Sequence, residues 1–219
     1  MNAKIIFFII IKIYVLFMVR KLLYVDKRYE PSVITVYSQD FYLRKYPEYA
    51  QIFAFNKKAL FQYFNTSGIR DGECASPAFD IRYYIEKNND VKNKFGSNYT
   101  AAYEYFLSKG KYETSEYSPI FNVQYYLEKN PDLRNFFGEN RDSLMDHFVK
   151  YGMKEGRPSS PSFILEAYKT NNADLRMAFG DNNFEYYMHY TLNGRIEGRM
   201  ATFEQFEWNK KIFFNYKMI

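Results

Sequence analysis

The chain has 219 residues, 47% hydrophobic, 21% aromatic and 25% charged, which is enough apolar side chain to bury a core and excludes a disordered polymer. Its one cysteine, Cys74, excludes an internal disulfide and cysteine-based zinc modules. Of the net charge of +5, residues 1–30 carry +4 (Lys4, Lys12, Arg20, Lys21, Lys27 and Arg28 against Asp26 and Glu30), so the remainder, at +1, lacks the shared basic face that a nucleic-acid partner requires.

The first predicted element is an N-terminal hydrophobic helix. Ile5 to Val19 reads IIFFIIIKIYVLFMV, an apolar run broken only by Lys12 and preceded by Lys4. It has no polar face with which to sit on a soluble core. No small-residue cleavage site follows at Arg20 to Asp26, so residues 1–23 are expected to stay as a membrane anchor or uncleaved signal. Extended to Leu23, with Lys12 or Arg20 reaching to the interface, the run meets the about 20 residues a span needs. The chain is therefore expected to be membrane-anchored at the cell surface. Arg20, Lys21, Lys27 and Arg28 after the run outnumber Lys4 before it, which favours a cytoplasmic body and leaves the orientation open. Residues 24–36 read as a link.

From there the sequence repeats with a step of 42. Phe79, Phe121 and Phe163 keep it, as do Phe53, Phe95, Phe137 and Phe179, and likewise Tyr42, Tyr84, Tyr126 and Tyr168. Two further columns are Asn56, Asn98, Asn140 and Asn182, and Gly68, Gly110, Gly152 and Gly194. Recurrence at this period marks a repeat architecture. The repeats are residues 37–78, 79–120, 121–162 and 163–204, with 205–219 as a C-terminal cap covering the exposed end through Phe206, Phe213 and Phe214.

The third repeat shows the predicted elements best. Asn122, with Asp80 and Ser38 in its place earlier and Ile164 as the exception, caps a helix over 123–129. Pro131 suits the first position of a second helix, which Gly138 ends. Asn140 caps a third, with Leu144, Phe148 and Tyr151 as one apolar stripe and Gly152 as its left-handed C-terminal cap. Tyr and Phe favour strands, and a step near 42 also suits propeller blades. Strict alternation is absent, however, and Glu, Lys, Leu and Met fill the segments between Asn and Gly. The expected fold is all-α: four tandem helical repeats forming an array or compact superhelix, because one unit is too small to bury its aromatic face alone.

The stretch FNVQYYLEKNPDLRNFFGENRDSLMDHFVKYGMKEGR, residues 121–157, resembles the tandem repeats F-D-x-x-Y-Y…P-D-L…F-G…H-F…Y-G-x-x-E-G-R of secreted and cell-surface bacterial proteins, which also occur beside glycosyltransferase domains. All four units take part. The second ends in Glu113-Thr114-Ser115 instead of E-G-R, and the first is the most divergent. The resemblance implies a surface role and no established chemistry.

Candidate chemistry is sparse. His147 and His189 share one slot, held by Tyr63 and Tyr105 in the other units, so they read as scaffold rather than metal ligands. Glu155-Gly156-Arg157 and Glu197-Gly198-Arg199, with Asp71 and Glu113 in the weaker units, read as ion pairs closing the repeat junction. Tyr42, Tyr84, Tyr126 and Tyr168 form the one column that could stack on a ligand, a glycan or wall polymer, although rings at fixed helical spacing are more often core. No phosphate loop, dinucleotide motif, zinc-protease motif or nucleophile elbow occurs, and neither catalysis nor a cofactor is expected. The expected function is a non-catalytic, membrane-tethered module for surface interaction or spacing. The alternative is an accessory protein of a surface-glycan glycosyltransferase system.

Overall fold

The computed structural model describes residues 36–54, 56–114 and 116–204. The expected anchor and most of the link lie outside these residues, as does the C-terminal cap. Among the described residues the chain is helical without a strand, apart from isolated bridges pairing Ser76 with Phe79 and Ser160 with Phe163. No helix among them is long and apolar enough to cross a membrane.

In chain order the helices are α1 (Gln39–Lys45), α2 (Glu48–Ile52), α3 (Lys57–Tyr63), α4 (Ile81–Lys87), α5 (Asn89–Phe95), α6 (Tyr99–Tyr105) and α7 (Lys111–Glu113). There follow α8 (Val123–Lys129), α9 (Pro131–Phe137), α10 (Arg141–His147), α11 (Met153–Glu155), α12 (Leu165–Asn171), α13 (Ala173–Phe179) and α14 (Asn183–His189). Several are short because a cap or a stop is written locally. At the start of α1, α4 and α8, the side chains of Ser38, Asp80 and Asn122 accept backbone N–H bonds, whereas Ile164 before α12 supplies none. Asn56, Asn98 and Asn140 cap α3, α6 and α10 in the same way, but Asn182 before α14 does not. Pro131 opens α9, and Gly138 stops it with φ 56°.

Beyond α3, α6, α10 and α14 the chain departs from the expected pattern. Each runs directly into one wide π-helical turn, over Phe64–Gly68, Phe106–Gly110, Phe148–Gly152 and Tyr190–Gly194. Gly152 is right-handed there, φ −55°, and is not the expected left-handed C-terminal cap. The left-handed residue is Gly156, φ 70°, at the end of α11. The extra residue in the wide turn also rotates Tyr151 off the stripe begun by Leu144 and Phe148. Those two are buried and Tyr151 is 56% exposed.

The chain closes on itself at regular intervals. The backbone N–H groups of Ser38, Asp80, Asn122 and Ile164 donate to the carbonyls of Ala75, Tyr117, Ser159 and Ala201 at 2.7, 2.9, 2.7 and 2.9 Å. One apolar core runs from Val36 to Ala201, built largely of rings such as the Phe79 and Phe106 stack at 4.0 Å and the Phe121 and Phe148 stack at 4.7 Å. A second, small cluster of Phe41, Cys74 and Met188, flanked by Phe184 and Leu192, joins the first helices to α14. Across the same seam Arg44 makes a bidentate pair with Glu185, at 3.0 and 3.1 Å, and Arg195 reaches Glu86 at 3.2 Å.

Candidate functional site

Tyr42, Tyr84, Tyr126 and Tyr168 project from α1, α4, α8 and α12 into the core, each 0% exposed. No face of these rings is open to a ligand, so the column supplies packing and not the stacking platform held as its weaker reading. Each hydroxyl lies against the last glycine of the following wide turn. A Cβ at Gly68, Gly110, Gly152 or Gly194 would come within 2.8 Å or less of that oxygen.

What the hydroxyl bonds to differs along the chain. Tyr126 and Tyr168 pair at 2.8 Å with Nδ1 of His147 and His189. Partial burial lowers the pKa of both histidines, which favours the neutral ring that can share this bond. Where Tyr105 stands in the histidine slot it turns out to Glu113, and the buried hydroxyl of Tyr84 has no hydrogen-bond partner among the described residues. Where Tyr63 stands there, Glu73 takes over. It accepts from Tyr42 and, at 2.7 Å, from Tyr49, whose oxygen is 3.0 Å from that of Tyr63. Glu73 occupies the place that Arg157 and Arg199 hold later in the repeat.

The ion pairs expected within the E-G-R sequences form, Arg157 with Glu155 and Arg199 with Glu197, but these arginines do not close a junction between units. They bind inside their own segment. Arg157 pairs with Glu155 and, at 2.8 Å, with Asp132 at the start of α9, and it touches Asn130 at 3.3 Å. Arg199 does the same with Glu197, Asp174 and Asn172, at 2.7, 2.7 and 3.4 Å. In the weaker units Asp71 pairs with Arg70, and Glu113 with Lys109 and the Tyr105 hydroxyl.

The links between segments are made by residues the sequence reading passed over. Ser118 and Ser160 donate from Oγ to the carbonyls of Pro77 and Pro119, at 2.7 and 3.1 Å. Asn88 and Asn130 tie the first helix of a segment to its end, through the carbonyls of Glu116 and Pro158 at 2.8 and 2.9 Å. Their signals were the S-P-x-F sequence at Ser76, Ser118 and Ser160, and the Asn column at 88, 130 and 172, both on the step of 42. Arg82 and Arg141 reach back to the carbonyls of Asp71 and Gly72, and of Lys111 and Thr114, binding the free end of the preceding turn. Lys111 is itself buried, 5% exposed, and its ammonium is held by Asp142 at 2.6 Å.

Two of the clefts on the surface of the described residues have both apolar and charged linings. One, of about 360 Å³, lies at the seam where Phe41 and Arg44 of α1 face Phe184 and Met188 of α14 and Tyr151 after α10. The other, of about 250 Å³, has a floor of Val123, Leu127 and Leu144 and a rim of Tyr112, Gln124, Glu139 and Arg141. Among the described residues no group of three or more His, Cys, Asp or Glu side chains converges as a metal site.

No family model matches this chain, and no curated protein and no solved structure does.

Proposed function

We propose that the four 42-residue segments are structural repeats of one helical array, and that the array is a non-catalytic module tethered to a membrane by residues 1–23 and working at the cell surface as an interaction or spacing element. The observation that supports this most is the duplication of the polar machinery: the Tyr–His pair recurs at Tyr126 and Tyr168, and the arginine triad recurs at Arg157 and Arg199. An active site needs one asymmetric set of groups with separated acidities. Groups that occur twice in equivalent places, bonded to one another, suit a scaffold.

The tether rests on the apolar run from Ile5 to Val19. Membrane fractionation of the full chain beside one lacking residues 1–23 tests it. The full chain should sediment with membranes, and the shortened chain should be soluble with its helical circular dichroism intact. A shortened chain that stays with the membrane, or loses its helicity, overturns the tether. Pull-down with purified wall polymers and surface polysaccharides separates binder from spacer, since a spacer retains none of them. Capture of a glycan-building enzyme in place of a polymer would move the conclusion to the accessory role.

A further inference from the structure

The smaller cleft, at the junction of α7 with α8 and α10, gathers unengaged polar side chains around one concave site with an apolar floor. The charged groups next to it in the chain are engaged: Asp142 with Lys111, and Glu113 with Tyr105 and Lys109. At the rim of the cleft, Gln124, Glu139 and the Tyr112 hydroxyl have no hydrogen bond or ion pair among the described residues, while Arg141 is held in place through Nη1 by the carbonyls of Lys111 and Thr114. The Tyr112 ring is 58% exposed, and the Lys111 ammonium, itself fixed by Asp142, lies 5.1 Å from its centroid. Beneath them Val123, Leu127 and Leu144 form a buried apolar floor.

Such a cleft suits a small, flat, neutral molecule with one apolar face and several hydroxyl groups. An aromatic ring beside an apolar floor takes a C–H face. A carboxylate accepts from hydroxyls, a guanidinium donates to them, and an amide does both. One carboxylate against one guanidinium leaves no net charge to favour an ion. The volume of about 250 Å³ lies below the range typical of drug-sized ligands and holds one ring.

We infer that this cleft binds a single pyranose unit of a glycan, with Tyr112 as its stacking face and Glu139 and Gln124 as its hydroxyl partners. The inference rests on the surface-interaction reading above and gives it a ligand class and a place. Its test is ligand-observed saturation-transfer NMR on the full chain, in a detergent without a sugar head group, with the methyl glycosides of glucose, galactose, mannose and N-acetylglucosamine as probes. At least one should bind with a Kd in the millimolar range. Tyr112→Ala should weaken that binding about tenfold or more and Glu139→Gln severalfold, while Tyr151→Ala, an equally exposed ring at the other cleft, leaves it unchanged. All three side chains are at the surface, and unchanged circular dichroism checks the fold. Sugar binding that survives both rim substitutions overturns this site and leaves the glycan reading standing. Absence of binding by every glycoside overturns both, and leaves the spacer.

Discussion

The hydroxyl of Tyr126 lies against Gly152 and shares a hydrogen bond of 2.8 Å with Nδ1 of His147. Gly152→Ala puts a methyl group onto that oxygen, and the ring, 0% exposed, has nowhere to retreat. The substitution should cost about 2 kcal/mol, within the usual range for overpacking. Tyr126→Phe alone should cost about 1 kcal/mol for the lost bond. The double variant should cost less than the sum, because the oxygen that met the methyl is gone; additive thermal-melt values would remove the contact as the reason for the glycine. The glycine column was visible in the sequence, but its reason was not. A cap and a close approach both demand glycine, and only the position of a ring 26 residues earlier tells them apart.

The two histidines give the residue scale its pH dependence. Burial, the leading cause, lowers the folded pKa of His147 and of His189 from the ordinary 6.5, with Arg157 and Arg199 acting the same way and Glu155, Asp132, Asp146, Glu197 and Asp174 opposing. A folded pKa below the unfolded one means the unfolded chain binds the extra proton. This contribution to stability is therefore complete above about pH 6.5 and is lost as the pH falls through the folded value. Urea denaturation at descending pH should show that loss, and replacing both histidines by Gln should flatten this part of the profile. An unchanged slope would place the titration elsewhere.

At the scale of elements, α7 shows how one substitution within the repeat is compensated by its neighbour. Lys111 occupies a slot held by the buried side chains of Ile69 and Met153 in other segments, and Asp142 of α10 neutralises it across the junction. Asp142→Ala leaves a buried ammonium unpaired and should destabilise the fold by about 3 kcal/mol. Lys111→Met combined with Asp142→Ala should be neutral or stabilising, since Met fits the same slot at Met153. Chemical denaturation of the single and double variants checks both, and a double variant as weak as the single would mean the slot needs its charge. Helix starts such as Asp80, Asn122 and Asn140 were legible because a cap involves residues only two or three apart. The wide turns were not legible, because their extra residue is set by the core ring they must accommodate.

At the scale of the molecule, the seam between α1 and α14 differs from the other contacts. It is held by a three-residue cluster outside the main core and by the Arg44–Glu185 pair, whose side chains are 46% and 28% exposed. Such a pair contributes about 1 kcal/mol or less, so the seam should open before the rest of the fold. Cys74 reports on it. The thiol is buried, its pKa is pushed by burial to about 12, and its Sγ donates to the carbonyls of Ser76 and Phe79. A thiol reagent at neutral pH should label it slowly in the native protein. Met188→Ala should speed labelling by more than it lowers the midpoint of global unfolding. Equal changes in both would mean that the seam opens only when everything does.

The step of 42, the N-caps at Ser38, Asp80, Asn122 and Asn140 and the helical class followed from the sequence alone, since each depends on neighbours within a turn or on recurrence that can be counted. So did the equivalence of His147 and His189 with Tyr63 and Tyr105, although Tyr105 turns out to Glu113 where the histidines bond the core tyrosines. The tertiary structure decided what local pattern cannot carry: that the glycine column makes room for tyrosine hydroxyls, that the arginines of E-G-R turn back to Asp132 and Asp174, and that α14 returns to α1. It also buried the tyrosine column and left Tyr112, a residue with no aromatic counterpart in the other segments, exposed. Periodicity in a sequence reports which residues are equivalent; whether equivalent rings point inward or outward is set by the packing of segments far apart in the chain.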